Sequence, residues 1–329
     1  MNSDHLKFLR CPKCKGEFKL VEAKITERRV ESGKLNCHIC IKDYPIVRFI
    51  PRLVNSMDNY ADDFGFQWNL HFRTQYDSYS GLNISEDRFF RESGWGRDLK
   101  SELLLEAGSG SGRFTEHAVS TGALVVSFDY SNAVEANYRN NGHYENLLIV
   151  QASIFEMPFP KEIFDKVICI GVVQHTPDPK KAFEALTTML KSGGELVVDA
   201  YENLPGIKKY FETKYWVRPI TKKLSNKTLY RFCVFWVNLL WPLCKLSYKI
   251  TGRRTLSWFL LVADYRGVYP LSDELLKEWS ILDTFDMLAP EYDYPQTILS
   301  VRGWYDELNY FDVDVKRGFN GIQGFGKKV

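Results

Sequence analysis

The sequence predicts an α/β fold: a mostly parallel sheet with helices on both faces, preceded by a small metal-held module. Three observations carry this. Short apolar runs at 103–107, 124–129, 147–151, 164–171 and 195–200 alternate with helix-forming stretches, as strands joined by crossover helices do. The first run breaks into Gly108-Ser-Gly110-Ser-Gly112, a turn where a ligand can approach backbone. Upstream, Cys11-Pro-Lys-Cys14 and Cys37-His-Ile-Cys40 set two C-x-x-C pairs about 20 residues apart. The 329 residues, 45% apolar and 26% charged, suffice for one large domain with accessories.

Residues 1–54 read as the metal module. Four cysteines at this spacing suit a tetrahedral thiolate site for zinc, with Cys11, Cys14, Cys37 and Cys40 as ligands and no position left open for water. Such a metal is structural. Between the knuckles, Phe18-Lys-Leu-Val and Arg28-Arg-Val-Glu-Ser-Gly read as a hairpin. Disulfides are the alternative, but Met1-Asn-Ser-Asp-His-Leu has no apolar leader, so cytoplasmic residence and reduced thiols are expected. Residues 55–97 follow as a helical connector rich in aromatics (Phe64, Trp68, Tyr76, Trp95). It serves either as a lid over a ligand or as packing between the module and the main domain.

The glycine turn admits two cofactor classes. A dinucleotide fingerprint, G-x-G-x-x-G, places its third glycine where this chain has Arg113. The actual spacing is G-x-G-x-G behind Glu106, and an acid there suits an ammonium group rather than a pyrophosphate. Asp129 ends the second strand about 20 residues on, positioned for both hydroxyls of a ribose, with Tyr130 beside it for a base. With the third strand and Ala152-Ser153-Ile154, the fourth strand to Gly171, a helix from Pro179 and the Gly193-Gly194 turn, the series resembles class I S-adenosylmethionine (SAM) methyltransferases of the type 11 kind. That resemblance implies a Rossmann-like sheet of seven strands over 98–201 and 296–329. It also implies SAM contacts from Glu106, Ala107, Gly108, Ser109, Gly110, Gly112, Asp129, Tyr130, Ser153, Ile154 and Gly171. Ser153 departs from the family, which commonly has an acid there. The first module, closing with Tyr44-Pro45-Ile, is similar to the small zinc-ribbon proteins that activate some methyltransferases.

The last helix and strand pair fall at 296–308, 311–318 and 321–326, so 202–295 is an insertion. From Pro205 to Arg254 it carries 12 Lys or Arg and one acid, although the whole chain is only +2. Its apolar centre, 232–244, is too short to span a bilayer, which needs about 20 apolar residues. It is read as a helical cap over the acceptor pocket or a dimer interface. Alternatively it is a peripheral contact with the inner membrane face for a lipid-carried acceptor, or a surface for RNA.

His175, after the fourth strand, is the candidate general base; the alternative is that it only orients its loop. His71, Asp77 and Tyr201 are weaker candidates. Gly171-Val-Val-Gln-His-Thr-Pro lacks the Asn/Asp-Pro-Pro-aromatic sequence of exocyclic-amine enzymes, and Cys169 lacks the Pro-Cys context of cytosine-C5 enzymes. Phe64–Asn69 by number 64–69, the stretch 282–288 and the ending Gly318-Phe-Asn-Gly-Ile look like a bacterial group of methyltransferases linked to glycan, cell-surface or small-molecule pathways. The expected acceptor is therefore a hydroxyl of a small molecule, sugar or lipid-linked compound. A ring nitrogen of RNA is the second choice, since zinc ribbons precede the methyltransferase domain in some such enzymes; a non-catalytic SAM-binding protein is the third.

Overall fold

The computed structural model describes residues 1–54, 59–203 and 212–329. The expectations that rest on 55–58 and 204–211, including the start of the basic segment, lie outside the described residues. Strands β1 (Phe18–Thr26), β2 (Arg29–Cys37), β3 (Lys42–Val47) and β4 (Ile50–Pro51) form an antiparallel sheet in sequence order. The sequence hairpin is β1–β2, and the second knuckle opens at the end of β2.

Three connector helices follow: α1 (Asp62–Leu70), α2 (Asp77–Ser80) and α3 (Ile84–Ser93). The main sheet takes β5 (Leu103–Ala107), β6 (Leu124–Asp129), β7 (Leu147–Gln151), β8 (Phe164–Cys169) and β9 (Leu190–Ala200), all parallel. Helices α4 (Thr115–Ser120), α5 (Val134–Asn141) and α6 (Pro179–Thr187) connect them. Both faces of β5–β9 are covered, which is why their sequences are continuous apolar runs rather than alternating ones. β9 begins five residues before the expected strand, because Leu190 already pairs with Phe164.

The insertion contributes α7 (Lys214–Thr221), α8 (Asn226–Thr251), α9 (Thr255–Phe259) and α10 (Asp273–Leu288). Then α11 (Ile298–Glu307), β10 (Phe311–Gly318) and β11 (Gly321–Lys327) close the chain. β11 runs antiparallel between β9 and β10, giving the order β10-β11-β9-β8-β5-β6-β7. The fold is thus the expected Rossmann-like, seven-stranded, mostly parallel sheet. Strand order reverses between β5 and β8, and ligands of open α/β sheets bind at such a reversal.

The first sheet packs on the β7 edge. Leu53 N–H donates to Gln151 O at 2.8 Å, Arg10 N–H to Pro158 O at 2.7 Å, and Lys15 Nζ to Met157 O at 3.1 Å. Leu9, Leu35, Tyr44 and Ile46 share one apolar core with Phe128, Val150 and Phe159 of the main domain.

Candidate functional site

A cavity of about 1100 Å³ opens at the β5/β8 reversal. Its floor is made by turns at strand ends. Gly108, Ser109 and Gly110 follow β5, Asp129 and Tyr130 end or follow β6, and Ile154 follows β7. Gly171 and His175 follow β8, and Tyr201 follows β9.

The glycine turn is held by its neighbour strand. Asp129 accepts Gly110 N–H at 2.9 Å on one oxygen, and on the other Ser131 N–H at 2.8 Å and Ser131 Oγ–H at 2.7 Å. Gly110 sits at φ +53°, and a Cβ there would come within 3.1 Å of the Trp68 indole nitrogen. α1 therefore lies directly over the turn. Gly112 serves packing instead: a Cβ would meet Asn137 Oδ1 at 2.2 Å, and Gly112 is not on the cavity wall.

Glu106, Ala107 and Ser153 also lie off the wall. Glu106 is buried, with Oε2 accepting from Thr115 Oγ and Ser127 Oγ while Oε1 has no partner. Burial pushes its carboxyl up to about 7, against the pull of those two hydroxyls. Ser153 Oγ accepts Phe155 N–H at 3.2 Å within its own turn.

His175 is buried in a 3-10 turn, with Phe64 and Tyr201 against its ring at 5.0 and 5.3 Å between centroids. Its Nδ1 lies 2.9 Å from Tyr292 O. A carbonyl only accepts, so Nδ1 carries the proton and Nε2 holds the lone pair. Burial lowers the pKa below the ordinary 6.5, opposed by the charges of Asp286 and Asp293. The ring is therefore neutral near pH 7, the state a base requires.

The other candidate bases separate. Tyr201 lines the cavity and donates to Asp286 at 3.4 Å. His71 is tied to Thr74 and Tyr230 away from the wall. Asp77 accepts the Ser85 and Glu86 N–H groups at the start of α3 and faces His117. It holds a helix end.

The roof comes from the connector and the insertion, although sequence reasoning singled out none of its polar residues. Gln75 Nε2 and Trp279 Nε1 donate to the two oxygens of Asp283 at 3.0 and 3.1 Å. Burial, aided by the charge of Asp286, pushes the Asp283 carboxyl up to about 7. Gln67 Nε2 donates to Asp286 at 2.8 Å. Arg88 pairs with Glu92 and Asp199, and Asp199 also accepts Gly171 N–H, so α3 is fastened to the ends of β8 and β9 beside the cavity. The connector's Phe64, Trp68, Gln75 and Arg88 all line the cavity, and Phe66 packs on Tyr230 and Phe285 of the insertion. Spacing alone does not mark these acids: the buried positions of α10 include Ser280 and Thr284 as well as Leu282, Phe285 and Leu288, so Asp283 and Asp286 do not stand out in an apolar face.

The order of these turns around one reversal point is matched by a known family. Residues 105–198 match the model of the methyltransferase domain. They form a methyltransferase domain of the class I SAM-dependent kind. A demethylmenaquinone methyltransferase of Thermobifida fusca is 26% identical over 129 residues, covering 38% of this chain and 55% of that protein. A ubiquinone biosynthesis O-methyltransferase of Coxiella burnetii is 28% identical over 100 residues, covering 30% of this chain and 43% of that protein. The chain thus spans about half the length of the curated relatives it matches. The solved human N-acetylserotonin methyltransferase with SAM is similar at 14% identity and TM-score 0.43, covering 84% of this chain and 60% of that one.

SAM fits the residues present in the methyltransferase domain. The cavity offers the backbone of Gly108 and Gly110, the Asp129 carboxylate, the aromatic ring of Tyr130 and a buried, unpartnered Ser109 hydroxyl. Zinc fits the first module. The four cysteine sulfurs all lie within 4.8 Å of one another, with Cys11–Cys40 at 3.5 Å and Cys14–Cys37 at 3.4 Å. Sulfurs around a tetrahedral zinc stand about 3.8 Å apart, far beyond the roughly 2.05 Å of a disulfide. All four are free thiols.

Proposed function

We propose that the protein transfers the methyl group of SAM to a hydroxyl of a small-molecule, sugar or lipid-linked acceptor held between the glycine turn and the helical roof. SAM supplies a methyl on a sulfonium, which leaves as a neutral thioether. The chain's own residues orient and deprotonate. The observation that carries the reading is His175: it is neutral, with its lone pair fixed on Nε2, on the same cavity wall as Gly108, Gly110 and Asp129. A hydroxyl must lose its proton as the new bond forms, and an imidazole of this kind can take it. The close approach of acceptor to methyl is the larger contribution, and the aromatic roof supports it by excluding water.

The name of one relative, an O-methyltransferase of ubiquinone biosynthesis, supports a hydroxyl acceptor. A lipid-linked acceptor implies peripheral contact with the inner membrane face through the basic segment 205–254. Among the described residues no helix is long and apolar enough to cross a membrane.

The test is isotope-labelled SAM with the purified protein and extracts fractionated into polar small molecules, glycolipids and RNA. The label is expected in a small-molecule or glycolipid fraction as a base-stable ether. Label in RNA transfers the reading to the ring-nitrogen alternative, and SAM binding without transfer to any fraction supports the non-catalytic one.

A further inference from the structure

Helix α8 has two apolar faces, and the fold uses one. Leu229, Cys233, Val237, Trp241 and Cys244 are buried against α10 and its neighbours. On the other side Phe232, Phe235, Leu239, Leu243, Leu246 and Ile250 are exposed, Phe235 at 61% and Ile250 at 73%. Their spacing of three or four residues puts all six within about 80° of arc at 3.6 residues per turn, a straight stripe along a helix about 39 Å long. Lys227, Arg231, Lys245 and Lys249 fall in a second row about 40° wide beside it. Lys245 pairs with Asp273, while Lys227, Arg231 and Lys249 stand exposed.

The charge selects the occupant. Residues 213–263 contain ten Lys or Arg and no Asp or Glu. A second copy of this face therefore brings no counter-charge to the basic row, whereas anionic headgroups do. An apolar stripe of Phe, Leu and Ile flanked by Lys and Arg on one long helix is the composition of a helix that lies in a bilayer interface.

The geometry points to α8 as a membrane-docking helix: its outer stripe seats in the headgroup and acyl boundary of an anionic bilayer, with the Lys227–Arg231–Lys249 row on the headgroups. The seat is coupled to the cavity. Trp236 Nε1 donates to Leu260 O at 2.8 Å, fixing α8 to the segment whose Arg254, Trp258 and Phe259 line the cavity. Trp258 and Phe259 are themselves part-exposed, at 37% and 52%. A docked cap would thus present an aromatic rim of the cavity to lipid-borne molecules. That use of the surface rests on the lipid-linked arm of the proposed function; the docking does not.

The test is flotation of the full chain with vesicles of phosphatidylcholine, with and without phosphatidylglycerol, at low and high salt. SAM affinity is measured by calorimetry on the same samples. The protein is expected to float with anionic vesicles at low salt and to be released by high salt. K227Q/R231Q/K249Q is expected to lower partitioning about a hundredfold, and F235S/L239S/L246S at least tenfold, both with unchanged SAM affinity. Absence of flotation at low salt overturns the proposal. So does a triple Ser variant that floats like the parent, or one whose only change in light scattering is from dimer to monomer. Flotation retained in a chain that binds no SAM leaves docking intact and overturns the methyl-transfer reading instead.

Discussion

The floor and the roof of the cavity are built on different principles. The floor is backbone and strand ends: Gly108, Gly110, Asp129 and Gly171 stand where they do because parallel strands in this order must end there. The roof is side chains from α1, α7, α9 and α10, elements distant in sequence and held together by aromatic packing and buried carboxylates. A floor of this kind is general to one cofactor, while a roof can be rebuilt for each acceptor. Changes to the floor should therefore act on donor binding, and changes to the roof on turnover, acceptor choice or stability.

The largest expected effect belongs to the residue that meets both surfaces. His175→Asn keeps a side chain able to donate to Tyr292 O but leaves no basic nitrogen. Turnover is expected to fall about 10²–10⁴-fold, with SAM affinity changed only a few-fold. In the parent, the acid limb of kcat should lie below pH 6.5, because burial lowers the His175 pKa and the neutral form is the active one. A variant with normal turnover and the same acid limb would falsify the catalytic role and leave His175 as a loop-orienting group.

Next is the floor. In Gly108→Val the new Cβ would fall 2.3 Å from Val172 Cγ2, at a φ of +76° that branched residues avoid. SAM affinity should drop about a hundredfold or more, while folding stability falls by no more than about 3 kcal/mol. Calorimetric titration beside a thermal melt separates the two. Equal SAM affinity in parent and variant would break the assignment of this turn to the donor.

Zinc removal tests whether the first module belongs to either surface. Its sulfurs are remote from the cavity wall, but Arg10 and Lys15, beside the first knuckle, hold the carbonyls of Pro158 and Met157 just beyond Ile154. Chelation, or Cys11→Ser, should unfold residues 1–54, exposing their amides to exchange, and weaken SAM binding less than tenfold. A loss of turnover with those amides still protected would instead give the metal a direct part in the chemistry.

How much of this was legible follows the same division. Asp129 and the glycine turn could be read because local spacing dictates them. Glu106 could be located but not its use: one oxygen is turned inward to Thr115 and Ser127. Gly112 is required, but by Asn137 rather than by a ligand. Asp283 and Asp286 were passed over because only the packing of α10 under α1 and α8 turns them inward. The run 232–244 shows the limit most clearly. In sequence it is apolar apart from Asn238, and only the fold divides it into a buried row (Cys233, Val237, Trp241) and an exposed one (Phe235, Leu239, Leu243).

The smallest expected effect probes what a buried acid on α1, close enough to feel the charge of Asp286, does to the fold. Asp63 on α1 is buried, one oxygen has no partner, and burial together with the charge of Asp286 pushes its carboxyl up to about 7 from the ordinary 3.8. The folded chain thus holds this proton to near neutrality, while the unfolded chain releases it near pH 4. Stability is lost progressively as pH rises between those values, and the full cost is present above the folded pKa. Asp63→Asn removes the titration. The variant should be more stable than the parent by about 1–3 kcal/mol at pH 8, and the gap should shrink toward pH 5. Urea unfolding at the two pH values measures it. A gap independent of pH would mean that Asp63 acts through packing alone, and that the acid-lined roof places no electrostatic load on the fold that the floor does not.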